Sequence, residues 1–152
     1  MGSDYRVELI NGNILVMRPS GYMSEEVASE LVRQLANWVR PRRLGRVTGS
    51  GAGFVLPNAD VRAPDVSFVR AERLRRSPLG FVELAPDLVA DLRRKIDSFL
   101  EQGTRVGILV DPEQRWVEVR RVGDGDVLAV PELLPGWAFP IADLWPPLFE
   151  PP

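Results

Sequence analysis

The chain has 152 residues, 45% of them hydrophobic, with a formal charge of −2 and a pI near 5.3. That supports one ordinary core and not two, so residues 1–152 are expected to form a single domain. Cysteine and histidine are both absent, which excludes disulfides, the usual structural zinc sites, thiol nucleophiles and imidazole bases. Any catalysis must use carboxylates, a lysine, a metal-activated water or a cofactor. Of 19 basic residues only Lys95 is a lysine. The rest are guanidiniums, which do not titrate and which match carboxylate or phosphate in a bidentate way. With an acidic balance overall, a polyanion site has to be a local patch. No long apolar run or signal-like segment occurs, and a cytoplasmic protein without membrane association is expected.

The stretch YRVELINGNILVM sets two alternating runs around Asn11-Gly12, a strong local signal for a hairpin over residues 5–17. Ser24-Glu25-Glu26 offers a capping hydroxyl and first-turn acids, and Val27, Leu31, Leu35 and Trp38 recur at helical spacing, predicting a helix that Pro41 ends. RVTGSGAGFVLPNAD holds two short strand pieces broken by glycines. In VRAPDVSFVR, Val66 and Phe68 fall on one side of a two-residue period, while Asp65, Ser67 and Val69 fall on the other. After an Arg-rich connector, APDLVA predicts a brief strand and DLRRKIDSFLEQG a helix stopped by Gly103. TRVGILVD has the uninterrupted apolar character of a strand buried on both faces, and Asp111-Pro112 turns it into the alternating strand RWVEVRR. The proline-rich, aromatic end, from Glu132 to Pro152, is expected to wrap over the core. The pattern as a whole predicts an α/β fold of the α+β kind: a central mixed sheet flanked by helices, with hairpins at both ends.

Asp65 sets the chemical question. A carboxylate at the mouth of an apolar strand either caps nearby amides or, with a second oxygen donor from Glu83, Asp87 or Asp91, holds a metal. Lys95 stands one helical turn after Asp91, where it either pairs with that acid or meets a phosphate. Arg73, Arg75 and Arg76 in the connector, and Arg40, Arg42 and Arg43 after the first helix, either line solvated loops or grip phosphates. GSGAGF does not follow the phosphate-loop pattern, because no Gly-Lys-Ser/Thr follows it.

The segments RAPDVSFV, APDLV and GTRVGILVDP, in that order, resemble the Uma-two family of bacterial proteins, described as restriction endonucleases of the PD-(D/E)xK nuclease superfamily. The resemblance extends over nearly the whole chain. It implies a restriction-endonuclease-like core and a metal-dependent DNA endonuclease, with Asp65 matching the family's first acid, Mg²⁺ or Mn²⁺ as cofactor and DNA as partner; apart from the resemblance, the sequence leaves the assembly open, a homodimer among the options. Asp65 and Asp91 are then the metal-binding candidates, Asp65 and Lys95 the catalytic ones, and Arg73, Arg75 and Arg76 the nucleic-acid contacts. The sequence departs from the family after PDLV. Ala90 runs straight into the predicted helix, leaving Asp91 on that helix and the strand without its second acid and lysine. That departure favours, as the alternative, a non-catalytic nucleic-acid-binding or interaction module on the same fold.

Overall fold

The structure, a computed structural model, describes residues 6–17, 21–92, 97–113, 115–120 and 127–149. Strands β1 (Arg6–Ile10) and β2 (Asn13–Met17) form the expected hairpin. Asn11 and Gly12 both take positive φ, 51° and 76°, the twist that a two-residue turn needs and that these two residue types tolerate. Helix α1 (Tyr22–Val39) starts earlier than the Ser24 signal suggests; its N-cap is Gly21, with no side-chain cap. Burial rather than capping holds this end, since Val27, Ala28, Leu31, Leu35 and Val39 all face the core.

The remaining elements are β3 (Gly45–Thr48), β4 (Phe54–Val55), β5 (Val61–Arg62), β6 (Val66–Arg70), β7 (Leu88–Leu92), α2 (Asp97–Glu101), β8 (Val106–Asp111), β9 (Trp116–Arg120), β10 (Val127–Ala129), β11 (Ala138–Pro140) and a 3₁₀ turn at Ile141–Leu144. The central sheet has the order β3-β6-β7-β8-β9, antiparallel throughout except for the parallel β7/β8 pair. A second sheet, β2-β1-β5-β4, joins the N-terminal hairpin to the approach to β6, and β10 with β11 makes the C-terminal hairpin.

Strand alternation divides the central sheet between two cores. Val66, Phe68, Leu88, Ala90, Val106, Ile108 and Val110 meet α1 on one face. Val69 and Val89 meet Phe54, Leu56, Ala85 and Phe99 on the other, with Phe99 supplied by α2. The C-terminal segment wraps as expected: Leu134, Trp137, Phe139 and Leu144 enter the α1 core, and Trp137 Nε1 donates to the Gln34 carbonyl at 3.2 Å. Among the described residues no helix is long and apolar enough to cross a membrane.

One expectation is overturned. Asp91 does not begin a helix; β7 continues through Leu92, pairing Asp91 with Leu109 and Leu92 with Val110, and α2 is described over Asp97–Glu101. The helical text DLRRK is overridden at its start by non-local pairing with β8, a contribution that no local propensity registers. Lys95 lies outside the described residues.

Candidate active site

Asp65 and Asp91 come from adjacent strands because of the sheet's register. Val66 pairs with Ala90, Ser67 with Val89 and Phe68 with Leu88, so one further step along the two antiparallel strands sets Asp65 against Asp91. Alternation then puts both side chains on the α2 face, with Ser67, Val69 and Val89. Both acids are buried, Asp91 completely. The Asp65 backbone N–H donates to Asp91 Oδ1 at 2.9 Å, so the second acid fixes the main chain that carries the first. Asp91 thus lies on strand β7 and not on the helix where the sequence reading put it.

Two further groups hold this end of the sheet in place. Leu9 pairs with Val61, which brings Glu8 beside Arg62; Arg62 Nε meets Glu8 Oε2 at 2.9 Å with both residues buried. Glu8 Oε1 also accepts the Ala63 N–H at 3.3 Å, and the Arg62 guanidinium lies 4.7 Å from the Phe99 ring centroid. The segment leading into Pro64-Asp65 is therefore clamped by a charge pair from the hairpin. On the other side of Asp65, the Ser67 hydroxyl hydrogen-bonds that of Thr48 across β6/β3. Glu8 and Arg62 escaped the sequence reading. Each is a charge at an alternating strand position, but 54 residues separate them, and only the strand pairing joins them.

Asp87, another candidate second donor, is placed elsewhere. Its Oδ2 accepts the Arg70 N–H at 2.8 Å and its Oδ1 pairs with Arg73 Nη1 at 2.9 Å. Arg73, expected at nucleic acid, pairs here with a buried acid while its own side chain stays 36% exposed. Glu83 is exposed. Arg75 and Arg76 are exposed as well, and Arg46 ties their connector to β3 by donating to the Leu74 and Arg75 carbonyls at 3.0 and 2.7 Å. The two Arg runs, Arg40 to Arg43 and Arg73 to Arg76, therefore converge at the end of β3/β6 remote from Asp65. Arg42 lies over the Trp38 ring, 3.3 Å from its centroid, and donates to the Trp38 carbonyl.

As a donor set, two adjacent buried carboxylates suit a hard divalent cation such as Mg²⁺, which is commonly held by one or two carboxylates while water and substrate phosphate fill the remaining positions. Among the described residues no group of three or more acids, histidines or cysteines gathers at one point. Among the described residues the protein's share of such a site would be this pair.

The mixed sheet and its flanking helices define a restriction-endonuclease-like core. The sequence profile of the Uma2 (Uma-two) family, described as "Putative restriction endonuclease", matches residues 1–149, and the chain belongs to that family. Among solved structures it is similar to "a putative nuclease belonging to DUF820" from Anabaena variabilis, at 23% identity and a TM-score of 0.72, with 91% of this chain and 88% of that one covered. At that identity the likeness speaks for the fold. No curated protein matches the chain.

Proposed function

We propose that the protein is a divalent-metal-dependent DNA endonuclease in which Asp65 and Asp91 hold the metal. The observation that carries this reading is the hydrogen bond from the Asp65 N–H to Asp91 Oδ1, which brings two buried acids side by side at one end of a nuclease-like sheet. Membership of the Uma2 family supports the reaction class. A cation there would neutralise phosphate charge and lower the pKa of a bound water, so phosphodiester hydrolysis needs no histidine. The chain's own part is positional. Asp91 fixes the Asp65 main chain, Glu8 and Arg62 clamp the segment before it, and Arg75 and Arg76 meet phosphates farther along the strand. Lys95, four residues after Asp91, is assigned to the substrate phosphate, and the protein is taken to act in the cytoplasm as a homodimer.

The test is plasmid cleavage with Mg²⁺ or Mn²⁺, set against EDTA. Asp65→Asn and Asp91→Asn should each lower the rate about a thousandfold or more, the equivalent of the several kcal/mol a metal contributes to the transition state. Cleavage that survives EDTA, or that proceeds equally in the variants, overturns the assignment. Light scattering checks the dimer.

A further inference from the structure

A cleft of about 760 Å³ runs along the outer edge of β3, between the C-terminal end of α1 and two loops, residues 49–53 and 77–82. That volume lies within the range of about 300–1,000 Å³ typical of small-ligand sites. Its lining contains two charged residues, Arg40 and Arg46, and no acid, in a chain whose net charge is −2. The loops are joined to each other: Val82 N–H donates to the Gly53 carbonyl at 3.0 Å and Val55 N–H to the Val82 carbonyl at 2.8 Å.

Phe81 is the distinctive wall. Its ring lies against Gly53 so closely that a Cβ there would stand 2.6 Å from a ring carbon, yet 62% of the residue is exposed. The ring is seated against the Gly53 backbone while most of the residue stays exposed at the cleft, so an aromatic surface is available there for stacking. The acids do not line the cleft but lie beyond its Thr48 end. Thr48 lines it, Thr48 bonds to Ser67, and Ser67 lies two residues from Asp65 on the same sheet face, about 7 Å along the strand. Arg46 and the exposed Arg75 and Arg76 stand at the opposite end.

We propose that this cleft binds unpaired nucleotides of a polynucleotide next to the point of cleavage, with a base stacked on Phe81 and the backbone passing Arg40 toward the acid pair. The substrate class is then nucleic acid with a single-stranded segment rather than an unbroken duplex. The occupant follows from charge complementarity and an exposed aromatic face in one cleft, and its position beside the acids rests on the nuclease reading above.

Metal-free binding separates the two. In EDTA, fluorescein-labelled oligo-dT is titrated by anisotropy into the wild-type protein, Phe81→Ala, Arg40→Gln and Asp91→Asn, after thermal melts confirm that each variant is folded. Phe81→Ala should bind about tenfold more weakly, the low end of the loss for removing one base stack. Arg40→Gln should reduce the salt slope by about 0.7, one phosphate's worth on a single strand. Asp91→Asn, which takes one negative charge from the end of the path, should not weaken the binding. Unchanged binding in Phe81→Ala, a matched duplex displacing oligo-dT more effectively than unlabelled single strand, or a dimer that dissociates in Phe81→Ala would overturn the cleft assignment. Phe81-dependent binding in a protein that cuts nothing would leave the cleft standing and remove the hydrolytic reading. Cleavage with Phe81-independent binding would do the reverse.

Discussion

The chain contains two Pro-Asp steps, Pro64-Asp65 and Pro86-Asp87, and only the first faces the proposed chemistry; replacing Asp87 tests that division. Asp87 is 1% exposed. Its side chain accepts the Arg70 N–H at 2.8 Å and an Arg73 guanidinium N–H at 2.9 Å, while its carbonyl receives the N–H groups of Arg105 and Val106. Asp87→Ala removes a charge-assisted bond to a main-chain donor, a loss of about 1.5–3 kcal/mol. The Arg73 pair adds less, about 0.2–1 kcal/mol, because that side chain is 36% exposed and solvent screens it. The sum, about 2–4 kcal/mol, corresponds to a fall in melting temperature of roughly 5–15 °C for a domain of this size. Asp87→Asn keeps an oxygen for the Arg70 N–H and should recover about half the loss. Urea denaturation measures the free energies, and plasmid cleavage by the folded Asp87→Asn protein supplies the contrast with Asp65→Asn. A loss below about 1 kcal/mol in Asp87→Ala, or an Asn variant no more stable than the Ala variant, refutes the hydrogen-bond accounting. Cleavage lost in Asp87→Asn at full stability refutes the scaffold role.

Two other substitutions probe the frame around the acids. Glu8→Leu removes the carboxylate beside the buried Arg62 guanidinium and should cost about 3–5 kcal/mol, whereas Glu8→Leu combined with Arg62→Met should recover most of that loss, short of the about 1–3 kcal/mol for the Ala63 N–H that also loses its acceptor; a double variant as unstable as the single one in urea denaturation contradicts the pairing. Gly45→Ala would put a Cβ 2.1 Å from the Val69 carbonyl oxygen and 2.7 Å from the Phe68 ring. The β3/β6 ladder has to open, at about 1–3 kcal/mol, and a melting temperature equal to wild type shows that the edge strand is not so close.

What the sequence displayed and what it hid divide along the distance between partners. The Asn11-Gly12 hairpin was visible because two adjacent residues supply its backbone angles. The division of β6 into a core side with Val66 and Phe68 and an acid side with Asp65 and Ser67 was visible because alternation is a local property. The apolar run of β8 announced its own burial. Asp91 was misplaced because the text around it has helical periodicity, and only its pairing with Leu109, 18 positions on in the neighbouring strand, fixes it as extended. Arg73 resembled its neighbours Arg75 and Arg76 in the sequence; the difference lies in Asp87, across a connector. The cleft by β3 was invisible for the same reason, since its walls come from three separate stretches and its platform depends on a glycine 28 residues from Phe81.

The same register that assembles the acids also builds the core, and this ties the candidate site to stability. In β7, Leu88 and Ala90 face the α1 core while Val89 and Asp91 face the other side. A slip of one residue against β6 would drive Asp91 into the space between sheet and helix, where a carboxylate costs several kcal/mol, and would turn Leu88 and Ala90 away from α1. The acid pair is therefore held in register by the apolar residues between which it alternates, more than by any contact of its own. A substitution that weakens the core face of β7 should loosen the Asp65–Asp91 juncture before it unfolds the domain, and hydrogen exchange at the Asp65 amide, whose acceptor is Asp91, should report that loosening directly.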